Sequence, residues 1–274
     1  MLRRYFAGRQ SVGHARQALY SAAMTLPRSE RAERLGPYFE TQLRFAARMA
    51  ELTGQSLGEA AFRHTNLNRR FGLGVPVLTP PTEAWLAYAE RLETASLAEQ
   101  VALTQEMFRA ASDERLPLPG QTGFGCFAFE PPKDGAVKIH FNNKDTDEAG
   151  GPLTAAKIDR RKAELAAMTR HIAEQHPDAT HIAGRSWLYN VEAYRRLFPP
   201  SYVATRELAS TPVHLSGTSS WGQLIDSREA IRPDVRDALL SNLATLDPQA
   251  PWTAFPLQVL SVQAPLETFL DYYA

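Results

Sequence analysis

Apolar positions recur every three or four residues along the first third of the chain, the spacing of helices with one buried stripe. After Ser56 the stripe runs through Leu57, Ala60, Ala61, His64, Leu67 and Phe71, and Gly72, Gly74 and Pro76 end it. Pro80, Pro81 and Thr82 open another helix, with Trp85, Leu86, Ala89 and Leu92 as its apolar face. Ser56 with Glu59, and Ser96 with Glu99, fit the capping box, in which the two side chains satisfy each other's free backbone N–H groups. Residues 1 to about 112 are therefore expected to be helical.

Past residue 123 the period changes. Phe124 to Phe129 reads as a strand, and residues 131–135 as a turn. Val137, Ile139 and Phe141 share one face of the next strand, with Lys138 and His140 on the other. A polar loop runs from Asn142 to Gly151. Thr154 caps a helix to His176, whose buried stripe is Ile158, Leu165, Met168 and Ile172. Thr180 to Tyr189 predicts a strand, Val191 to Phe198 a short helix stopped by Pro199 and Pro200, and Tyr202 to Leu208 another strand. Trp221 to Leu246 is mostly helical with a break near Pro233; Leu257 to Val262 is a last strand and Pro265 to Tyr273 a terminal helix. The predicted class is α+β: a helical N-terminal region over residues 1–115, then a mixed sheet flanked by helices over 116–274. The boundary falls between Asp113 and Gly123, where Pro117, Pro119 and Gly120 interrupt both patterns.

Composition sharpens this division. Before Asp113 every basic residue is Arg and every acid is Glu, whereas all the lysines lie between Lys133 and Lys162. A formal net charge of zero gives no global field toward nucleic acid or anionic lipid. The first residues lack the apolar core of a secretory signal, and no apolar run approaches the ~20 residues of a membrane span. Cys126 is the only cysteine, so no internal disulfide forms, and its neighbours Phe127 and Phe129 mark a buried thiol. A cytoplasmic protein that binds neither nucleic acid nor membrane is the expectation.

Several familiar constellations fail on spacing. His171 and His176 point ~140° apart on a helix, so they cannot share a metal and are taken as polar residues at a helix end. His64 lies on an apolar stripe and reads as a core histidine. Arg63, Arg69 and Arg70 could grip an anion, but a solvated helix face is the favoured reading. Asp145 and Asp147 could bind a hard cation through oxygen. They lack the calcium-loop glycine and distal glutamate, and no metal site is assigned. Gly150, Gly151 and the helix N-terminus at Thr154 offer N–H groups that suit phosphate.

The order from Val137 to Leu208, together with Leu188 to Phe198, resembles the core of GNAT-type acyltransferases, with Asn190 and Ala193 at the positions of their Asn-x-x-Ala segment. The whole chain also resembles proteins that join an N-terminal helical acyltransferase-like domain to a GNAT-like C-terminal domain; Ser186 to Tyr189 and Thr218 to Trp221 carry that likeness. The resemblance implies a GNAT-like fold for 116–274 and acyl transfer from an acyl-CoA thioester to an amine or hydroxyl of a small-molecule substrate. It implies His140 as the proton acceptor and Tyr189 or Tyr194 as the donor to the leaving thiolate. Phe141, Asn142, Asn143, Gly150, Gly151, Thr154 and Asn190 would hold the cofactor, with charge from Lys144 or Lys157. The family's pyrophosphate loop is missing between Phe141 and Thr154, Pro152 removes one donor, and the usual tyrosine falls at Leu197. A non-catalytic binding or assembly protein on a degenerate GNAT-like fold is the alternative. An open V between the strands at Phe141 and Ala183 would favour the enzyme; side chains filling it would favour the alternative.

Overall fold

The computed structural model describes residues 26–111, 120–217 and 219–274. Most of the expected boundary, at 112–119, and the first 25 residues lie outside them. Helices α1 (Arg28–Arg34) and α2 (Gly36–Thr53) begin the helical layer, and α2 ends where Gly54 takes a φ of 71°. In α3 (Leu57–His64) the Ser56 hydroxyl accepts the Glu59 N–H at 3.1 Å. The Glu59 carboxylate turns to Arg63 instead of closing the capping box. The stripe expected to run on to Phe71 breaks at Thr65, whose hydroxyl donates to the Ala61 carbonyl at 2.6 Å, and α4 (Leu67–Arg70) is a separate turn. Thr82 caps α5 (Glu83–Thr94), and α6 (Leu97–Ala110) carries a complete capping box between Ser96 and Glu99.

The aromatic run at 124–129 is a hairpin, not one strand. β1 (Thr122–Phe124) and β2 (Phe127–Phe129) pair antiparallel around Gly125, which has a φ of 59°. β3 (Ala136–Phe141) follows, then α7 (Ile158–Gln175), entered through a 3-10 turn at 155–157. Thr154 does not cap it by side chain; its hydroxyl donates back to the Gly151 carbonyl at 3.1 Å. β4 (His181–Ser186) is shorter than expected because 187–190 coil into a 3-10 turn before α8 (Glu192–Arg195). The expected strand at 202–208 is mostly helix: Pro200, at the first position of α9 (Pro200–Ala204), presets a helical φ, and only β5 (Glu207–Leu208) is extended. α10 (Pro233–Asn242), β6 (Leu260–Pro265) and α11 (Leu266–Tyr272) complete the described chain.

The molecule is mixed α/β, with a six-stranded sheet in the order β1-β2-β3-β4-β6-β5. Among the described residues only β3 and β4 run parallel. Phe127, Phe129, Ile139, Ile182 and Val262 line the sheet face that packs against α7, α8, α9 and α11. By strand alternation Lys138, His140, His181, Arg185 and Gln263 stand on the opposite face, partly or fully exposed.

A second core belongs to the helical layer, and it is drawn from both ends of the chain. Phe39, Phe45, Met49, Trp85 and Tyr88 pack with Leu215, Trp221, Leu224, Val235, Leu239 and Phe255. The Trp221 ring meets Phe45 edge-on at 5.3 Å and Phe255 at 4.9 Å, while its indole N–H donates to the His64 carbonyl at 3.1 Å. Among the described residues no helix is long and apolar enough to cross a membrane.

Candidate functional site

The candidate site is a fork between β3 and β4. Their pairing runs from Ala136 with His181 to Ile139 with Gly184 and stops there, although β3 continues to Phe141 and β4 to Ser186. Past Gly184, β4 stays bonded to β6 alone. The Lys138 carbonyl accepts from the Glu130 N–H and the Asn142 N–H donates to the Cys126 carbonyl, both on the β2 side, so by alternation the main-chain groups of Phe141 point toward the side β4 has left.

Aromatic side chains fill the buried side of this fork. Phe141 meets Tyr194 at 5.4 Å, Tyr194 meets Tyr189 at 5.2 Å and Phe198 at 4.9 Å, and Tyr189 and Tyr202 share a hydroxyl bond of 2.8 Å. Gly184 makes room for them: a Cβ there would lie 1.9 Å from the Tyr189 hydroxyl and 2.4 Å from that of Tyr202. Burial pushes the phenols of Tyr189 and Tyr194 well above their ordinary range, so each holds its proton tightly. His140 stands on the other face of the sheet, its Nε2 2.8 Å from the Glu130 carboxylate. The fold therefore separates the expected proton acceptor from both expected donors by the thickness of the sheet.

The expected cofactor residues gather at one end of the fork, but several of their polar groups are already engaged. Lys157, almost fully buried, donates to the Asp145 carbonyl at 2.7 Å and the Gly150 carbonyl at 3.0 Å, and pairs with the Asp147 carboxylate at 3.0 Å. Asn143 and Thr146 bond the Ser227 carbonyl at 3.1 and 3.3 Å, and Ser227 crowds Gly151. The Asn190 amide donates to the carbonyls of Trp187 and Gln258, both at 2.8 Å. Arg196 ties the loop to α8 through the Leu153 carbonyl at 2.8 Å. Lys144 and Asn143 are exposed.

The remaining candidates find structural partners. Asp145 pairs with Arg161 at 2.8 Å and Arg160 at 3.1 Å. Arg161 is fully buried; it also bonds Glu164 at 2.7 Å and donates to the Cys126 sulfur. Burial pushes the Cys126 thiol up. Among the described residues no three His, Cys, Asp or Glu side chains are arranged to hold a metal. His171 and His176 are not simply polar helix-end residues: both lie half-buried against Phe129, with ring separations of 5.9 and 5.6 Å. Arg63 and Arg70 do not act together, for Arg63 is exposed on Glu59 while Arg70 is held by Glu229 at 2.9 Å.

Sequence reasoning missed Glu229. It sits at a φ of 61° in a hairpin tip, between Arg31 at 2.7 Å and Arg70 at 2.9 Å. Burial would raise its carboxyl, but hydrogen bonds and charge from Arg31 and Arg70 outweigh that and hold it at about 2. Asp226, whose carboxylate accepts the N–H groups of Arg228 and Ala230, was the one local mark of this turn. No family model, curated protein or solved structure matches the chain.

Proposed function

We propose that this chain is a non-catalytic binding or assembly protein on a GNAT-like scaffold. The observation that carries the reading is that several side chains acyl transfer would use are spent on the fold. The Tyr189 hydroxyl closes onto Tyr202 over Gly184. Lys157 is neutralised by its own loop. The Asn190 amide holds two carbonyls. An incoming pyrophosphate would meet Asp145 and Asp147 beside that lysine, with no unpaired charge from it.

The second reading, acyl transfer from acyl-CoA, draws support from the backbone. The strand order, the single parallel pair and its parting after Ile139 and Gly184 suit a GNAT-like core. The main-chain groups of Phe141 are aimed where a thioester carbonyl would need a donor. Here His140, beside Glu130, would take the proton of an amine on the open face.

Acyl-CoA binding separates the two. A ligand at a hundred times its dissociation constant stabilises the folded state by about 2.7 kcal/mol, a melting shift of several degrees for a chain of this size. The expected outcome is that neither acetyl-CoA nor a long-chain acyl-CoA at millimolar concentration raises the melting temperature, and that mass spectrometry finds no CoA species carried through purification. A shift of several degrees would favour the acyltransferase.

A further inference from the structure

The hairpin that carries Glu229 touches both layers of the molecule. Ile225 and Ile231 bridge its base, and the Asp226 N–H bonds the Ala230 carbonyl at 2.8 Å. On the helical side Arg31 grips the Glu229 carboxylate through Nε at 2.7 Å and Nη2 at 3.2 Å, and Arg70 grips it at 2.9 Å. Arg34 adds a bond to the Arg228 carbonyl at 3.2 Å. On the sheet side the Ser227 carbonyl accepts from Asn143 and Thr146, and Arg228 reaches the Asp147 carbonyl at 3.4 Å. Ser227 also covers Gly151: a Cβ on that glycine would lie 2.6 Å from its Cβ and Oγ.

We propose that residues 225–231 form a strap, anchored on the helical layer through Glu229, whose tip holds the β3–α7 loop closed over its Gly150–Gly151 corner. Two features support a latch over incidental contact. Glu229 keeps a left-handed backbone that a non-glycine residue adopts at a cost, and its carboxylate is nearly buried between two arginines. The tip then meets the loop mainly through one carbonyl that accepts two side-chain bonds, a contact able to open without disturbing either core.

Amide hydrogen exchange on the full chain tests this. Glu229→Ala removes the anchor; Asn143→Ala with Thr146→Val removes the tip's bonds from exposed or half-exposed positions and leaves the helical layer untouched. Both variants should speed exchange across residues 142–151 about tenfold, the loss of one or two ordinary hydrogen bonds; the amides of α2 and α7 stay as protected as before in the double variant, and in Glu229→Ala they lose only the protection that the lower global stability removes. Unchanged loop exchange in the double variant would show that the tip holds nothing. Acceleration in the double variant alone would show that Glu229 is not the anchor, and equal acceleration in α2, α7 and the loop of the double variant would mean general destabilisation; either result overturns the strap. Acetyl-CoA added to the opened double variant reports separately on the proposed function, because a melting shift there would revive acyl transfer whatever the exchange result.

Discussion

Glu229 shows how much one side chain can carry when its charge is clamped. Its folded carboxyl titrates at about 2 against an ordinary 4.5. The folded value is depressed, so the unfolded chain binds the proton first as the medium is acidified. The clamp's contribution is thus complete above the unfolded value and is lost as pH falls from there toward 2. The shift corresponds to roughly 3 kcal/mol at full ionisation. Urea unfolding of the wild type should weaken between about pH 5 and pH 2.5 more steeply than that of Glu229→Gln, which has no carboxyl to protonate. Parallel curves for the two proteins would mean that the arginines contribute nothing there. The sequence held little trace of this residue, since neither a positive φ nor a pairing with α1 and α4 follows from an Asp-initiated turn.

Where β4 meets the turn at 187–190 and α9, the packing depends on a missing side chain. Gly184→Ala would drive a methyl into the hydroxyls of Tyr189 and Tyr202 and should cost about 1–3 kcal/mol. Adding Tyr189→Phe, which removes the nearer hydroxyl, should recover part of that loss; equal melting of the single variant and the wild type would place the rings elsewhere. Elements with one uninterrupted local signal were legible. The alternation of Val137, Ile139 and Phe141 marked β3, and the stripe of Leu165, Met168 and Ile172 marked α7. The hairpin at Gly125 was hidden because an aromatic run looks alike whether it continues or folds back. By its sequence neighbours Tyr202 reads as a strand residue, but it is buried against Phe198 and Phe269 in a helical turn. Residues 142–151 lie outside every helix and named strand, as their polar run suggests, but period and composition carry no record that Lys157 and Asn190 would be occupied by neighbouring carbonyls.

At the scale of the whole molecule, the helical layer is closed by residues more than a hundred positions downstream of most of its helices. Trp221→Ala should cost about 3–5 kcal/mol and lower the exchange protection of α2 at Leu43 to Met49, far from the substitution in sequence. Intact protection in α2 would deny Trp221 its place in that core. No local pattern announces such a return, because the apolar spacing of residues 221–246 fits packing against the sheet as well as against the helices.

That return has a consequence for how the chain is made. Emerging from the ribosome N-terminus first, α1 to α6 would have to wait for Leu215, Trp221, Leu239 and Phe255 before their apolar stripes were covered. At typical synthesis rates that is a delay of roughly ten seconds or more, during which the whole sheet strand set except β6 is also being delivered. The nascent helices are thus exposed longest in the half of the protein that is synthesised first, and the chain's vulnerability to aggregation is set by elongation speed as well as by the stability of the finished fold.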